Sequence, residues 1–317
     1  MKRFFHLGDD AGDAARTAAE QERARDAQSL AMLERGDLPL RAHERLYRQS
    51  SGGGSLRWSS DLSVGEYLAT RSVRLEPLGQ VLGGSIYHIA YNAMTQQQNY
   101  DSELTVFSQA LYEARDRALG RLRQEAALLG AHGVVGVRLE QKAYEWGARL
   151  LEFTAIGTAV RVAGVPPLPR PFLSDLSGQE TLTTLRAGYA PVSIALGVCA
   201  YYVVTTWDDE YQMRAGAWGN WSNNEMARLT GATYQARRGA MGRMSGEAHR
   251  LGADGIVGSD VVMETYEVQA YRTRPYSNES EAIEDHVIEF TATGTAVAAI
   301  GRGHEPAGAA LVLDLGK

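Results

Sequence analysis

The sequence predicts an α+β protein: two tandem β-α-β-β domains, each an antiparallel sheet packed on one long helix, plus an N-terminal helical arm. The first observation is a repeat, because Leu111–Gly136 and Thr233–Gly258 align without a gap and are identical at about half of their positions. The second is a shared closing phrase, which reads LEFTAIGTAV from Leu151 and IEFTATGTAV from Ile288. A repeat of this length indicates two copies of one small domain.

The first copy supplies the pattern for each element of the predicted domain. A strand is predicted over residues 75–91, and a helix follows because apolar residues recur there every three or four positions. Val134–Tyr144 alternates between apolar and polar residues, which indicates a half-buried strand with Val135 and Val137 on one face. A partner strand is predicted at Leu150–Val160, so the element order is β-α-β-β.

Segments outside the two copies complete the predicted organisation. The arm with a Gly/Ser linker, the first copy, a Pro-rich linker and the second copy occupy residues 1–55, 56–163, 164–179 and 180–317. Because proline stiffens the chain, the Pro-rich linker is expected to space the two copies rather than to continue a strand. Residues 9–48 predict a helix, a turn and a second short helix. This arm is either solvated or binds a protein partner or another copy.

Composition and charge exclude several classes of function. The chain has 317 residues, a net charge of −6 and one cysteine, so it has no intrachain disulfide framework. An acidic balance argues against broad nucleic-acid binding, which requires concentrated positive charge. The N-terminal apolar run stops at Leu7, and no apolar stretch reaches the length of a membrane span. A cytoplasmic protein is therefore expected.

The candidates for a metal site are His88, His132, Cys199 and Asp254, because imidazole, thiolate and carboxylate groups are the usual ligands. The two copies do not share these residues, since His88 aligns with Tyr202 and His132 aligns with Asp254. A site that belongs to the fold is expected in both copies, so surface or core positions are the simpler interpretation. A site formed between subunits stays open.

No motif for nucleophilic catalysis is present, so no enzyme activity and no catalytic residue is predicted. The charged residues of the first long helix, Arg115 and Glu125 among them, are expected on a solvated face. Gly120 and Gly242 lie in the middle of the two long helices, where glycine is unfavourable. They indicate either that a neighbouring element packs closely there or that the sequence has drifted.

Three tryptophans form the best candidate site for a small molecule. Trp207, Trp218 and Trp221 lie in the loop that follows the first strand of the second copy. Their rings could stack on a flat ligand at the inner surface of an assembly. The alternative is that the loop packs against its own domain or against the next subunit. No cofactor is assigned.

The two copies carry opposite charge at equivalent positions of one strand. Arg138 aligns with Asp260, and Lys142 aligns with Glu264. We predict that these four residues help the first copy of one chain to meet the second copy of another, while like copies repel. The alternative is that both faces are only solvated.

A run of small and apolar residues links the helix to the strands that follow it. In the first copy it comprises Glu125, Leu129, Gly130, Ala131, Gly133, Val135, Gly136 and Gly157–Val160. In the second copy it comprises Glu247, Leu251, Gly252, Ala253, Gly255, Val257, Gly258 and Gly294–Val297. These residues resemble the YbjQ family, which is labelled heavy-metal-binding. The resemblance covers about two-thirds of the chain and implies a β-α-β-β fold similar to dodecin subunits that assembles in rings, often pentameric.

These observations predict a non-enzymatic homo-oligomer that forms a ring or a shell. Ring closure is one way to cover the exposed strand edges of a small unit. The alternative is a protein that binds a heavy metal or a small ligand at sites between its subunits, with the metal ion implied by the family resemblance alone. The expected partners are other copies of the chain and a protein bound through residues 9–48, with neither nucleic acid nor a membrane.

Overall fold

A computed structural model of the chain describes residues 7–50, 59–88, 99–143, 150–215 and 225–301. In these ranges the helices are α1 (Leu7–Glu34), α2 (Leu40–Ser50), α3 (Val64–Ser72), α4 (Thr105–Leu128), α5 (Gly178–Arg186), α6 (Trp207–Ala215) and α7 (Ala227–Arg250). The strands are β1 (Leu75–His88), β2 (Ser102–Glu103), β3 (Gly133–Ala143), β4 (Leu150–Val162), β5 (Phe172–Leu173), β6 (Tyr189–Val203), β7 (Gly255–Thr273) and β8 (Ser280–Ala299).

The strands form two sheets, with the orders β1-β4-β3-β5 and β2-β6-β8-β7. Three long antiparallel strands make up most of each sheet, and a strand of two residues from another part of the chain is added at one edge. We call β1, α4, β3 and β4 unit 1, and β6, α7, β7 and β8 unit 2. The predicted α+β class is confirmed.

Each long helix covers one face of the sheet in its own unit, which we call the inner face, and the opposite face is the outer face. In unit 1, Leu111 and Ala118 of α4 share a buried cluster with Val81 of β1. In unit 2, Ala236 of α7 shares a buried cluster with Ala195 of β6. The apolar residues of both helices recur every three or four positions because those positions face a sheet.

Strand and helix backbones come unusually close in both units. A Cβ atom added at Gly83 of β1 or at Gly197 of β6 would overlap the backbone of the long helix. Around Gly120 and Gly242, by contrast, such an atom would meet nothing within 4 Å. The expectation that an element packs closely against these two helical glycines is therefore wrong, and the close approach lies on the strands instead.

A bulge interrupts the strand that the alternating pattern predicts. The pairing of β3 with β4 shifts between Val135 and Arg138, where Gly136 has φ +63°. One extra residue reverses which face the following side chains occupy. Val137 therefore joins the cluster under α4, whereas Val135 packs with Phe172, and their placement on one face was wrong. Unit 2 has the same shift, with Gly258 at φ +62°.

The Pro-rich segment does more than space the two units. Phe172–Leu173 pairs in parallel with Gly133 and Val134, and it thereby extends the sheet of unit 1. Both side chains are buried, and α5 begins at Gly178, inside the predicted linker. The segment therefore also forms strand β5, which the prediction of a spacer did not include.

The N-terminal arm has the predicted helix–turn–helix arrangement. Residues 15–28 of α1 are exposed, whereas Leu46 of α2 is buried in the same cluster as α4. Arg45 of α2 donates a hydrogen bond to Glu125 of α4 at 2.5 Å. The second arm helix is therefore docked on unit 1. None of the described helices has both the length and the apolar character that a membrane span requires.

Candidate assembly interface

The two units bind each other because helix α4 of unit 1 faces two sheets at once. One side of α4 covers the inner face of its own sheet, and its other side lies on the outer face of the sheet in unit 2. Strand β6 is consequently buried on both faces. Its residues alternate between the cluster with α7, as Cys199 does, and the cluster with α4, as Leu196 and Ala200 do.

A buried ion pair lies at the centre of this contact. Arg115 of α4 and Glu289 of β8 approach to 2.8 Å, and their side chains are 4% and 3% exposed. The guanidinium also lies 4.8 Å from the ring centroid of Phe153, and Tyr266 donates a hydrogen bond to Glu289 at 2.9 Å. Burial, followed by the charge of Glu289, raises the pKa of Tyr266 well above its usual range, so its phenol remains a donor.

Further polar contacts extend along α4 and fix its position on unit 2. Tyr112 donates to Glu247 at 3.1 Å, and that carboxylate accepts a second bond from the amide of Leu196 at 2.7 Å. Desolvation raises the pKa of Glu247. The amide of Ala200 donates to the hydroxyl of Ser108 at 2.9 Å. Because these groups are buried or partly buried and are paired, they define one orientation of the two units.

A strand edge forms the second part of the interface. The amide of Phe172 donates to the carbonyl of His132 at 3.0 Å, and the amide of Ser174 donates to the carbonyl of Val134 at 2.9 Å. In return, the carbonyl of Ser174 accepts from the amide of Val137, and the carbonyl of Leu176 accepts from the amide of Gly136, both at 2.9 Å. The segment 172–176, which leads into unit 2, therefore covers the edge of β3 in unit 1 and removes an exposed strand edge.

One short helix, which was not predicted from the sequence, precedes the first strand of each unit. Helices α3 and α5 both begin with a capping box, formed by Ser63 with Glu66 and by Ser177 with Glu180. The signal was an Asp-Leu-Ser sequence at 61–63 and again at 175–177, with the same spacing as Pro77 and Pro191. The structural equivalence of the two units therefore starts before their first strands.

The two aspartates of these sequences have the same partner and different neighbours. Thr158 donates to Asp61, and its counterpart Thr295 donates to Asp175. Asp61 also pairs with Arg138 at 3.1 Å. Asp260 replaces that arginine in unit 2, and burial, with smaller contributions from nearby carboxylates that include Asp260, raises the pKa of Asp175 to about 6.

Asp175→Asn is expected to reduce the pH dependence of stability. Because the folded pKa is raised, the folded state binds this proton more tightly, so wild-type stability falls as pH rises from about 4 through about 6. The asparagine cannot ionise and keeps an acceptor for Thr295. At pH 7 we expect a gain of about 1–2 kcal/mol in urea unfolding. Asp61→Asn, which loses an ion pair with Arg138, is the control, and an unchanged pH profile for Asp175→Asn would contradict the assignment.

Three of the four charged residues that were predicted to act between chains face the same cleft within one chain. Arg138, Asp260 and Glu264 line a single cleft of about 590 Å³ between the units. Arg138 pairs with Asp61, Lys142 pairs with Glu140 at 3.3 Å, and Glu264 accepts from the side-chain amide of Gln141 at 3.4 Å. The opposite charges therefore face a common space. That they also meet between chains stays a prediction.

The metal candidates occupy separate places in the fold. The ring of His132 is buried, accepting from the amide of Val162 at Nδ1 (3.1 Å) and lying 2.8 Å from the carbonyl of Pro166 at Nε2. Asp254, its aligned counterpart, accepts from the amide of Ala299 at 2.8 Å, so both residues bind the end of a closing strand. His88 is exposed at the end of β1, and Cys199 is buried. Within the described ranges, no three His, Cys, Asp or Glu residues are placed to hold a metal.

The tryptophan candidates are only partly within the described residues. Trp207 begins α6, and its indole donates to the carbonyl of Thr273 at 3.1 Å. Its ring nitrogen therefore joins the helix to the end of β7. Trp218 and Trp221 lie outside the described residues, so their proposed role in ligand binding stays a prediction.

The fold and this interface define an α+β protein in which one β-α-β-β unit binds a second through a helix and a strand edge. A YbjQ family model, described as "Putative heavy-metal-binding", matches residues 79–163, which include most of unit 1. The Encapsulin nanocompartment protein Rv1762c of Mycobacterium tuberculosis is 37% identical over 253 residues, which cover 78% of this chain and 87% of that protein. The chain belongs to the same family as this relative, and it contains a YbjQ-type domain, as predicted.

Shorter relatives match within the same domain type. UPF0145 protein OE_4416R of Halobacterium salinarum is 44% identical over 61 residues, which cover 19% of this chain and 57% of that protein. A UPF0145 protein of Methanosarcina acetivorans is 35% identical over 88 residues, which cover 27% of this chain and 81% of that protein. The match to this relative therefore spans most of a protein much shorter than this chain.

Proposed function

We propose that this chain is a non-enzymatic protein that assembles with copies of itself into a closed ring or shell. The inter-unit interface carries the proposal, because two units with the same element order already bind through a buried ion pair and a shared strand edge. The 37% identical mycobacterial relative supports it through its name, which is encapsulin nanocompartment protein. A surface that pairs like units in one chain is suited to pair them between chains.

The organisation we propose is a tandem of two YbjQ-type domains. Residues 56–163 and 180–317 form the domains, residues 1–55 form the arm and its linker, and residues 164–179 connect the two domains. Support comes from the element order and from the equivalent bulges at Gly136 and Gly258. The arm offers α1 as a helix for a protein partner, since residues 15–28 are exposed.

The environment of the only cysteine supports a role without catalysis. Cys199 is buried, and burial raises the pKa of its thiol to about 11. A nucleophilic cysteine needs a lowered pKa, so this thiol is unsuited to attack a substrate. A cytoplasmic setting is part of the proposal, because a lone cysteine builds no disulfide framework within the chain.

The alternative function is binding of a heavy metal or a small ligand between subunits. The description of the family model favours it. Because the described ranges hold no metal-ligand cluster, a site drawn from them requires residues from a second copy. Metal analysis of protein purified without an affinity tag separates the two functions, since stoichiometric metal supports this alternative.

The mass of the full chain in solution tests the proposed function. We expect a single species at a multiple of 34.5 kDa in light scattering and native mass spectrometry, with a ring or shell in electron micrographs. A monomer over the micromolar concentration range would contradict the proposal.

A further inference from the structure

The interface between the units is heterologous, since each unit contributes a different surface to it. Unit 1 contributes the outward side of α4 and the edge of β3. Unit 2 contributes the outer face of its sheet and the segment 172–176 that precedes it. Each unit therefore also has a counterpart of the surface that the other unit contributes. In unit 2 this counterpart is the outward side of α7 with the edge of β7. In unit 1 it is the outer sheet face with residues 60–62.

The outer face of the unit 1 sheet exposes two large aliphatic side chains. Leu82 is 46% exposed, whereas Leu196 at the equivalent position of unit 2 is 2% exposed beneath α4. Ile86 is 57% exposed, whereas its equivalent Ala200 is fully buried. Two large aliphatic side chains on one exposed sheet face are typical of a surface that another element covers.

The edge of β7 in unit 2 shows the same contrast. Val257 is 37% exposed, although its equivalent in unit 1, Val135, is fully buried behind β5. Farther along the strand, Val261, Val262 and Met263 are each about half exposed. Among the described residues, β7 pairs on one side only, with β8. Ser60 and Leu62 of unit 1 are equivalent to Ser174 and Leu176 of unit 2. In the internal interface, Ser174 and Leu176 pair with the edge of β3.

Polar residues on these surfaces reproduce the pairs of the internal interface. Arg237 on the exposed side of α7 is equivalent to Arg115, and half-buried Glu152 on β4 is equivalent to Glu289. The carboxylate of Glu152 accepts from Thr154 at 3.4 Å, as that of Glu289 does from Thr291. Tyr234 is 67% exposed at the position of Tyr112. The charges of the central pair are therefore present for a second interface, whereas Glu125, the counterpart of the acceptor Glu247, is bound by Arg45 of the arm.

We infer that unit 2 of one chain docks on unit 1 of the next, so that chains join head to tail by repeating the internal interface. In this contact Arg237 pairs with Glu152 of the next copy, and the edge of β7 receives residues 60–62 of that copy. The arm borders the surface, because Arg41 and Ala42 line a groove with Leu82 and Ile156. This inference rests on the proposed self-assembly and specifies its contact surface.

Charge reversal in the full chain tests this contact. Arg237→Glu and Glu152→Arg are each expected to reduce the mass in light scattering toward that of one chain, 34.5 kDa. The double variant restores the pair and is expected to recover the wild-type mass. Arg238→Glu is the matched control, since it changes the charge equally at a position whose equivalent, Asp116, stays exposed beside the internal interface. Thermal unfolding by circular dichroism checks that each variant is folded.

A cysteine pair tests the geometry independently of energy. In the internal interface Ser108 accepts from the amide of Ala200, so the equivalent residues Thr230 and Ile86 should be neighbours between chains. Thr230→Cys with Ile86→Cys is expected to form disulfide-linked multimers on mild oxidation, and each single variant is not. The inference alone is overturned if the wild type is multimeric, the cysteine pair forms no disulfide-linked multimers, and neither charge reversal lowers the mass. A monomeric wild type would overturn the proposed function as well.

Discussion

Gly83→Ala is expected to lower the free energy of unfolding by about 3 kcal/mol, although it adds a single methyl group. The added Cβ would overlap the carbonyl oxygen of Ala118 and lie 2.5 Å from the amide nitrogen of Leu122. These atoms belong to the backbone of α4, so no side-chain rotation can make room, and strand and helix must separate. Gly197→Ala is expected to behave alike in unit 2. Urea unfolding followed by circular dichroism measures both effects.

Neighbouring glycines provide the controls for this prediction. At Gly84 an added Cβ meets nothing nearer than a carbonyl oxygen at 4.0 Å, so Gly84→Ala is expected to change stability little. Gly120→Ala and Gly242→Ala are expected to stabilise the protein by up to about 1 kcal/mol, because alanine favours a helix and the space is open. If Gly83→Ala were as well tolerated as Gly84→Ala, the close contact between β1 and α4 would be refuted.

Arg115→Met is expected to destabilise the protein by about 3–5 kcal/mol, because it leaves Glu289 charged and buried without its partner. The double variant Arg115→Met/Glu289→Met removes both charges and is expected to recover much of this loss. Chemical unfolding of the two single variants and the double variant gives the coupling energy of the pair.

Arg117 on the same helix is the matched control. It is exposed and lies 5.6 Å from the ring of Tyr87, so Arg117→Met is expected to change stability by less than about 0.5 kcal/mol. A loss below about 1 kcal/mol for Arg115→Met would show that the ion pair does not hold the two units together.

Much of the architecture could be predicted from the repeated sequence. The repeat indicates both long helices and the three long strands that surround each, because periodic apolar residues report directly on a buried face. The two-residue strands β2 and β5 carry no such period. Their position depends on contacts with the other unit, which local patterns do not encode.

The interface itself could not be predicted from charge patterns. Arg115 and Glu125 were expected on a solvated face, since they stand in a helix rich in arginine and glutamate. Both are buried, Arg115 against unit 2 and Glu125 beneath the arm, so that expectation was wrong. The charge pattern of a helix that is covered on two sides can equal that of a solvated helix, because the difference lies in the elements that pack against it. Comparison of the Asp-Leu-Ser sequences would have extended the repeat, yet it would not have identified those partners.

The joining of two units in one chain restricts the numbers that an assembly can have. Every chain brings two units, so a closed ring made only of whole chains contains an even number of them. The resemblance to the YbjQ family implies rings that are often pentameric, and a ring of five units cannot be divided among two-unit chains. Five chains would instead place ten units around the axis, with internal and chain-to-chain contacts in alternation. The covalent link between the units therefore sets a parity rule for the stoichiometry of the assembly.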